Sequence, residues 1–408
     1  MKVLEVNITA KTGSTGKIIN DIRTYLQSQG HDVIIAYAVD DVDEDVGYHR
    51  ISNKIELAIS RRLVLLGRSS YKGNPLAFRR LKGLIEHERP DIVHLHCINC
   101  NCVNIYKTFE YLAARRIKTV VTHHAEFFYT GNCPHSFECE KFVDNQCKGC
   151  CNLFYATSNK MLANPHHNWL RMYKAVNSFR KEDLQFVSVS PWVKERSLSS
   201  PIVNHYPCET VFNGLDTDVF HYREGKKIIE KHIVLGNRKL VVHVTSNFNP
   251  SIVSNKGANF VIEIAKKLPE VQFIVVSSVS HNIDNLPDNV YYWGRTSTQE
   301  ELSQLYSAAD VTLLTSKRET FSMVTAESLC SGTPVVGFKA GGPESIAIKE
   351  YSCFVKYGDV DILIDKLVKM LRLSYNKKEI SSISKNVYSK ESMGERYLQI
   401  YKKLLGDK

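Results

Sequence analysis

The sequence predicts an α/β protein made of two doubly wound domains, each built on a parallel sheet. Three observations support this prediction. Apolar runs of strand length alternate with amphipathic helical stretches along almost the whole chain of 408 residues, which is the pattern of a doubly wound sheet. The runs are nearly all apolar, as expected of parallel strands covered on both faces. The alternation stops at the polar, charged residues 221–237 and then resumes, which indicates two domains.

The elements follow one another in a regular order. After the first strand, the spacing of Ile18, Ile22 and Leu26 predicts a helix over 17–29 that ends at Gly30. The strands predicted in the first half are VLEVNI, DVIIAYA, DIVHLHC, KTVVTH, QFVSVS and ETVFN. The strands predicted in the second half are KLVVHVT, QFIVVSS, VYYWG, DVTLLTS, TPVVGF and SCFVK.

These elements set the expected domain boundaries. We expect a first domain over 1–215, a linker over 216–237 and a second domain over 238–385. A final helix over 386–408 is expected to pack back on the first domain. The alternation is interrupted at about 126–165, where Cys, Asn, His and Phe are frequent and no period is visible. We interpret this segment as an insertion that depends on something other than a large apolar core.

Composition excludes several classes of protein. The chain is 43% hydrophobic and 24% charged, which are globular proportions that exclude disordered, collagen-like and fibrous chains. No stretch approaches the ~18 uncharged apolar residues needed to cross a bilayer. Glu5 lies inside the first apolar run, which argues against a signal peptide. The eleven cysteines are therefore expected to be thiols in a cytoplasmic protein.

The positive charge is concentrated in one stretch. The net charge is +10, and residues 50–118 contain 14 basic and 5 acidic side chains. A positive field of this size favours anionic partners, namely a phosphoryl donor, an acidic lipid surface or nucleic acid. A well-solvated face is the alternative interpretation.

The densest motif is SKRETFSMVTAESLCSGTPVVGFKAGGPE, which covers residues 316–344. The strand before it leads to Glu319, a helix is predicted over 321–330, and Gly332 stands where a helix-ending glycine belongs. Pro343 suits the first turn of a second helix. Two helix N-termini at the carboxyl edge of a parallel sheet suit phosphate groups. Glu319 and Glu327 would lie at different depths, as two hydroxyl-bearing parts of one ligand require.

This motif resembles the signature of the family 4 retaining glycosyltransferases of the GT-B fold, in which two Rossmann-like domains face a cleft. The resemblance rests on Glu319 and Glu327 with seven residues between them, followed by CSGTPVVGF and GGPE. Further stretches resemble family landmarks in the same order, namely QGHDV, RPDIVHLHC, VVTHH, VSVSPWVKE and VFNGLDTDVF.

The resemblance implies roles for individual residues of the second half. Glu319 would contact hydroxyls of the donor sugar near the reacting face, and Glu327 would bind the ribose of the nucleotide. Backbone amides would cradle donor groups at the positions Phe321, Ser322, Gly341 and Gly342. Lys256, in SNKG, would pair with the diphosphate.

One expected residue of the donor site is missing. The family usually pairs this lysine with an arginine shortly after the preceding strand, where this chain has Val244-Thr245-Ser246-Asn247. Neutralisation of the diphosphate would then rest more on Lys256, with Arg318 as a candidate second cation. No catalytic metal ion or other catalytic cofactor is expected, because similar enzymes use lysine and helix dipoles for this purpose.

The first half carries weaker signals. Gly13 and Gly16 frame a turn between the first strand and the first helix, where backbone can approach a ligand closely. In VVTHH, His123 matches the family histidine that faces the transferred sugar, with a structural role as the alternative, and His124 stands where the pattern often has Asp. His94 and His96 are interpreted as packed residues. The acidic runs DVDED (41–45) and DTD (216–218) imitate a metal-binding motif and are discounted.

The insertion contains a cluster of cysteines. Cys133, Cys139, Cys147 and Cys150 offer four soft ligands within 18 residues, ending in CxxC. This spacing suits a structural tetrahedral zinc, and some polysaccharide transferases of the family carry a similar Cys-rich loop. Free buried thiols are the alternative, and a redox pair is less favoured because the CxxC does not open a helix.

We interpret the chain as a retaining glycosyltransferase with a nucleotide-diphosphate sugar as donor. The expected acceptor is a glycan, in particular a lipid-linked one, in bacterial O-antigen, capsule or exopolysaccharide synthesis. The basic stretch 50–118 would rest on the anionic inner face of the cytoplasmic membrane, so a peripheral location is a further hypothesis. The alternatives are a GT-B sugar-nucleotide epimerase or phosphorylase and, from another class, a nucleic-acid-binding protein with a Cys cluster. We expect no nucleic-acid partner.

Overall fold

The computed structural model describes residues 1–40, 46–66, 69–99, 101–153, 163–251 and 254–406. The chain divides into two compact units, of which the first is Met1–Phe212 with Met393–Lys408 and the second is Asn213–Ser392. The boundaries at 215 and 386 that we placed from the sequence compare with Phe212 and Met393 in the structure. Residues 216–237, which we expected to be a linker, belong to the second unit.

The first unit contains a parallel sheet with helices in the chain between its strands. Its strands are β1 (Lys2–Asn7), β2 (Asp32–Tyr37), β3 (Tyr48–Arg50), β4 (Ile92–Leu95), β5 (Lys118–His123), β6 (Leu184–Ser188) and β7 (Cys208–Thr210). Its helices before the second unit are α1 (Gly13–Ser28), α2 (Lys54–Leu65), α3 (Pro75–Glu88), α4 (Ile105–Ala114), α5 (Lys141–Asp144), α6 (Pro165–Val176) and α7 (Pro191–Ser199). The short strand β3 was not predicted from the sequence.

Polar cap residues determine where several of these helices start. The side chains of Asn53, Asn74 and Asn104 accept hydrogen bonds from backbone N–H groups in the first turns of α2, α3 and α4. Such caps satisfy donors that the helix itself leaves unpaired. Helix α1 starts at Gly13, four residues before the predicted start, so the Gly13–Gly16 turn forms its first turn.

The insertion differs from our expectation of a weak apolar core. Phe127, Phe128 and Phe142 are among the largest fully buried side chains of the protein. Glu126, which is also fully buried, accepts a hydrogen bond of 2.8 Å on Oε1 from Nε of Arg196 in α7. Aromatic packing and a buried ion pair therefore order the described part of this segment, 126–153.

The second unit repeats the architecture. Its strands are β8 (Leu240–Phe248), β9 (Gln272–Ser280), β10 (Val290–Gly294), β11 (Val311–Leu314), β12 (Val335–Phe338) and β13 (Ser352–Val355). Its helices are α8 (Lys227–Glu230), α9 (Ala258–Lys267), α10 (Gln299–Ala308), α11 (Met323–Cys330), α12 (Gly342–Ile346), α13 (Val360–Arg372) and α14 (Lys377–Tyr388). The final helix, α15 (Lys390–Leu405), starts in this unit, and from Met393 onward it belongs to the first.

Helix α15 completes the core of the first unit. Its residues Met393, Tyr397 and Tyr401 are buried in one cluster with Val3 of β1 and Ile92 of β4, and side chains of α1 join the same cluster. One face of the first sheet is therefore covered by α1 and α15. This arrangement explains why the last residues of the chain belong to the unit that contains the first ones.

Each sheet reverses its strand order once. The order is β3-β2-β1-β4-β5-β6-β7 in the first unit and β10-β9-β8-β11-β12-β13 in the second, and the strand pairs of the described residues are parallel. The predicted fold class, two Rossmann-like parallel-sheet domains, is confirmed. The reversal points lie between β1 and β4 and between β8 and β11. Open α/β sheets bind ligands outside the carboxyl ends of the strands at such points.

Among the helices of the described residues, none combines the length and the apolar character that crossing a membrane requires.

Candidate functional site

The reversal point of the second sheet is formed by two loops that are hydrogen-bonded to each other. Backbone N–H of Lys317 donates to the carbonyl of Asn255 at 2.8 Å. The side-chain amide of Asn255 donates to the carbonyl of Arg318 at 3.1 Å. The hydroxyl of Thr315 donates to the carbonyl of Lys256 at 3.0 Å. These bonds hold the loop after β8 against the loop after β11.

Lys256 and Glu319, predicted separately from the sequence, meet at this edge. Nζ of Lys256 lies 2.6 Å from Oε1 of Glu319, and both side chains retain partial exposure, 33% and 20% respectively. A cation and a carboxylate are therefore presented side by side, where a phosphate and a sugar hydroxyl could each find a partner.

The glycine pair after β12 lies directly beside Glu319. Backbone N–H of Glu319 donates to the carbonyl of Ala340 at 3.0 Å, and N–H of Gly342 donates to the carbonyl of Glu319 at 2.8 Å. Glu344 in α12 accepts from N–H of Gly341 at 2.9 Å. A Cβ at Gly342 would lie 2.5 Å from the carbonyl of Thr320, so only glycine permits this approach.

Ser322 caps α11, and Glu327 lies one turn further along it. Ser322 has a φ of +85° and its hydroxyl oxygen accepts from N–H of Thr325 at 3.3 Å, and Phe321 beside it is buried. Glu327 accepts from the hydroxyl of Tyr306 at 3.1 Å. Burial and the Glu327 carboxylate raise the pKa of Tyr306 well above its usual range, so its hydroxyl stays a donor. Nothing in the sequence motif pointed to Tyr306, which is in α10.

The helices of the 316–344 motif differ slightly from their predicted bounds. Helix α11 begins at Met323 rather than 321, and α12 has only five residues. Gly332 has a φ of +84° directly after the C-cap of α11, as predicted. Arg318 is half-buried in the loop that carries Glu319, and its role as a second cation stays a prediction.

The loop after β1, at the reversal point of the first sheet, is held by Asp40, which follows β2 and which the sequence analysis missed. Its Oδ2 accepts from the backbone N–H groups of Ala10, Lys11 and Thr12 at 2.8–3.0 Å. Burial alone would raise the pKa of Asp40, but the hydrogen bonds from this loop lower it below its usual range. Asp40 thus anchors the turn that leads into Gly13 and Gly16. The discounted run 41–45 lies outside the described residues.

His123 is packed inside the first unit. It is fully buried, and its ring is stacked on Phe186 at 5.0 Å and lies near Tyr129. Successive side chains of a strand point to opposite faces, so His124 belongs to the other face, the one covered by α1 and α15. His124 keeps 9% exposure just beyond the end of β5. A contact between His123 and a sugar therefore stays a prediction that this packing does not favour.

His94 and His96 are buried, as expected, but they are not simply packed. Both rings contact the carboxylate of Glu5, which is fully buried in β1. Glu5, His94 and His96 could also ligate a metal ion. In the part of the chain that the structure describes, they are the only three His, Cys, Asp or Glu side chains whose candidate ligand atoms all lie within 4.8 Å of one another. Sequence reasoning used Glu5 only as evidence against a signal peptide.

The four cysteines proposed as zinc ligands lie in one region of the insertion. Cys147 accepts from N–H of Gly131 at 3.2 Å, and Cys133 and Cys147 are mostly buried, which raises the pKa of Cys147 to about 12. The donor chemistry fits a thiophilic ion. Among the described residues, however, the four sulfurs do not form a group of three within 4.8 Å, so an ion would have to draw them together.

The second acidic run, 216–218, has a structural role. Asp216 accepts from N–H of Asp218 at 3.0 Å and from Nζ of Lys390 at 2.6 Å. These contacts fix the turn that begins the second unit and the start of α15.

Two doubly wound parallel sheets, with a lysine–glutamate pair and a glycine pair at the reversal point of the second sheet, define the GT-B class. Solved structures with the same fold include sucrose-phosphate synthase from Thermosynechococcus elongatus (TM-score 0.68, 14% identity, 100% of this chain and 99% of that one). A glycosyltransferase from Rickettsia africae ESF-5 is as similar (TM-score 0.68, 18% identity, 100% and 99%). Anabaena HepE in complex with UDP aligns with a TM-score of 0.67 at 14% identity over 99% and 100%.

Sequence comparison gives the family. Residues 15–219 match the family described as Glycosyltransferase Family 4, and residues 239–372 match Glycosyl transferases group 1. The chain belongs to glycosyltransferase family 4.

The curated relatives align only in part. N-acetyl-alpha-D-glucosaminyl L-malate synthase of Bacillus anthracis is 26% identical over 173 residues, which is 40% of this chain and 44% of that protein. Processive diacylglycerol alpha-glucosyltransferase of Acholeplasma laidlawii is 31% identical over 141 residues, 32% of this chain and 41% of that protein. The aligned part is thus less than half of these relatives.

Proposed function

We propose that this chain is a retaining glycosyltransferase that uses a nucleotide-diphosphate sugar as donor. The observation that carries the proposal is the arrangement of Lys256, Glu319, Gly341 and Gly342 at the reversal point of the second sheet. An ammonium group, a carboxylate and closely approaching backbone lie together there. These groups match the diphosphate and the sugar hydroxyls of such a donor.

Each residue has a proposed task in the reaction. Lys256 stabilises the negative charge that develops on the leaving diphosphate, which is the kind of interaction that lowers a barrier. Glu319 accepts from sugar hydroxyls, and Glu327 accepts from the ribose. In the overall reaction the bond between the anomeric carbon and the diphosphate oxygen breaks and a bond to the acceptor oxygen forms. The nucleoside diphosphate and one proton are released.

Similar proteins support the donor class. Anabaena HepE has been solved with UDP and with UDP-glucose, which makes UDP the first probe to use. We propose a glycan acceptor, in particular a lipid-linked glycan of bacterial surface-polysaccharide synthesis. The relatives named above carry malate and diacylglycerol in their names, so an acceptor screen has to include small acids and lipids as well.

The phosphate role of Lys256 gives the first test. Lys256→Ala should weaken UDP binding about 10- to 150-fold, since a charge-assisted hydrogen bond contributes roughly 1.5–3 kcal/mol. Uridine binding should change little, because uridine has no diphosphate. Titration calorimetry measures both. Lys267→Ala is the matched control, because Lys267 is also ion-paired, to Asp361, but lies in α9 away from this edge. Equal losses for UDP and uridine would contradict the proposal.

We further propose that the first unit docks on an anionic membrane. Helix α2 exposes Ile55 (73%) and Ile59 (54%), while Arg61 and Arg62 on the same helix are also exposed. Apolar side chains next to basic ones suit the interface of an anionic bilayer, through charge complementarity and burial in the headgroup region. Such docking would bring the enzyme to a lipid-linked acceptor.

We also propose Cys133, Cys139, Cys147 and Cys150 as ligands of one structural zinc. The four thiols and the N–H donated to Cys147 supply the chemistry that such an ion requires. The role would be structural, with no part in sugar transfer.

A further inference from the structure

A chain of polar side chains is buried beneath the reversal point of the first sheet. Glu5 in β1 and His94 in β4 are register partners, and His96 follows two residues later on the same face. All three are fully buried. Such a group is costly to bury unless its members satisfy one another.

The carboxylate of Glu5 is fully paired. Oε2 lies 2.5 Å from Nε2 of His96 and 3.0 Å from Nδ1 of His94, and the hydroxyl of Tyr401 donates to Oε1 at 3.1 Å. Burial alone would raise the pKa of Glu5, but the two imidazoles hold it well below its usual range. Glu5 is therefore an acceptor on both oxygens.

His96 connects this carboxylate to His124. Nδ1 of His96 lies 3.0 Å from Nε2 of His124, and the two rings are stacked at 5.3 Å. Burial and the neighbouring His94 lower the pKa of His96 to about 4, so the ring is neutral at physiological pH. A neutral His96 that donates from Nε2 to Glu5 can only accept at Nδ1. Nε2 of His124 must then carry the proton.

The hydrogen bonds of His94 lead to other side chains. Its Nε2 lies 2.8 Å from the hydroxyl of Thr122, which in turn lies 3.0 Å from the hydroxyl of Tyr397 in α15. His94 and His96 thus share burial and a carboxylate partner, but the ring nitrogens of His94 bond to Tyr401 and Thr122, whereas Nδ1 of His96 bonds to His124. A substitution at His96 therefore has a matched control in the same substitution at His94.

We propose that Glu5 and His96 are positioning residues that hold His124 in one orientation and one tautomer at the carboxyl edge of the first sheet. Through His124, with its unprotonated Nδ1, this network would reach a ligand at the carboxyl edge of the first sheet, where open α/β sheets bind their ligands. The inference rests on the proposed function and adds to it a residue, His124, and the device that orients it.

An alternative is a buried metal held by Glu5, His94 and His96. Every ring nitrogen of the two histidines already has a hydrogen-bond partner at 2.5–3.0 Å. A set of donors that is satisfied in this way needs no ion. Metal content is nevertheless one of the measurements that decide between the two.

The first measurement does not depend on sugar transfer. Histidine labelled with ¹⁵N in the full chain reports the protonation of each ring nitrogen, and His124→Gln identifies the resonances of His124. The expected wild-type pattern is a protonated Nε2 and an unprotonated Nδ1 at His124. His96→Gln keeps a donor for Glu5 but replaces the ring nitrogen that His124 contacts with an amide oxygen on a flexible side chain. The fixed pattern at His124 should therefore be lost. His94→Gln should preserve it. An unchanged His124 in H96Q would overturn the proposal.

The second measurement is turnover with the donor that calorimetry identifies. His96→Gln should lower kcat about 10- to 100-fold, because a displacement of a catalytic group by about 1 Å can cost up to about 100-fold in rate. The KM for the donor should change little. H94Q, with comparable loss of buried hydrogen bonds, should stay within about threefold of wild type. The double variant H96Q/H124Q should be no slower than H124Q alone. Equal losses of kcat in H94Q and H96Q would reduce the network to a structural role.

Two further outcomes would separate this proposal from a metal site and from the proposed function. Stoichiometric metal in the wild type that is lost in H96Q would replace the proposal with a metal site. Absence of sugar transfer from any nucleotide sugar would refute the proposed function, while the ¹⁵N pattern would still decide whether Glu5 and His96 fix His124.

Discussion

At the scale of single residues, the donor edge of the second sheet depends on two glycines with different tasks. Gly342 lets the chain after β12 pass close to Thr320. Gly257 has a φ of +66° at the start of α9, and a Cβ there would lie 2.2 Å from the carbonyl oxygen of Thr315. That close contact is what keeps Lys256, one residue earlier, within reach of Glu319.

This geometry gives a prediction for Gly257→Ala. The left-handed backbone costs an L-residue roughly 1–2 kcal/mol, and the clash with Thr315 adds about 1–3 kcal/mol. Gly236→Ala is the matched control, because Gly236 has a φ of +55° but open space around it. Urea denaturation should show the larger loss in G257A, and calorimetry should show weaker UDP binding in that variant alone. Equal stabilities would mean that the contact with Thr315 constrains nothing.

The residue scale also shows what sequence could predict. Lys256, Glu319 and the glycine pair were found because they lie in short motifs with a fixed spacing. Glu5, Asp40 and Tyr306 were missed as parts of a site because their partners are far away in sequence, and Glu5 meets Tyr401 across nearly the whole chain. The choice between His123 and His124 depends on which strand face each occupies, and the motif does not give this.

At the scale of elements, the insertion shows a second limit of sequence analysis. Its aromatic residues follow no helical or strand period, so they did not reveal a core, yet Phe127 and Phe142 are fully buried. The pair of Glu126 and Arg196 ties the segment to α7. Removing one partner of a buried pair typically costs about 3–5 kcal/mol. Packing therefore organises the insertion next to β5, and a bound ion would act on its cysteine-rich part.

The zinc prediction belongs to this scale. Purified protein should contain about one zinc per chain by metal analysis, and Cys147→Ser should lower that content. Chelation should make the segment 126–153 more sensitive to protease before either unit unfolds, because structural zinc contributes directly to local folding. Cys330→Ser is the control, since Cys330 is buried in α11 of the second unit. Protein that folds with full protease resistance and no metal would rule the site out.

At the scale of the whole molecule, the structure shows which side chains of the basic stretch 50–118 are exposed. Arg80, counted within the basic stretch, is not free for a membrane, because its guanidinium makes two hydrogen bonds of 2.7 and 2.8 Å to Glu56. It instead pins α3 to α2. Leu57 and Val64 face the core, so the apolar residues of this stretch divide between a buried face and an exposed one. The exposed face, with Ile55 and Ile59, is the part that can meet a bilayer.

This division sharpens the membrane prediction. Wild-type protein should sediment with vesicles that contain anionic lipid, and binding should fall with added salt, because salt screens exposed charges. Reversing Arg61, Arg62 and Arg79 to Glu should weaken binding by about two orders of magnitude or more, given roughly a factor of five for each basic side chain at an anionic surface. Its control reverses Lys366, Lys369 and Arg372 on α13, which changes the net charge equally but elsewhere.

The apolar contribution can be separated from the electrostatic one. Ile55→Ser together with Ile59→Ser leaves the charge unchanged and removes the side chains that would enter the headgroup region. This double variant should bind vesicles more weakly at every salt concentration. UDP affinity should stay at the wild-type value in the double variant and in both charge reversals. Equal loss in the variant reversed at Arg61, Arg62 and Arg79 and in the α13 control would mean that only net charge matters. Wild-type protein that ignores anionic vesicles at low salt would leave the basic face without a membrane role.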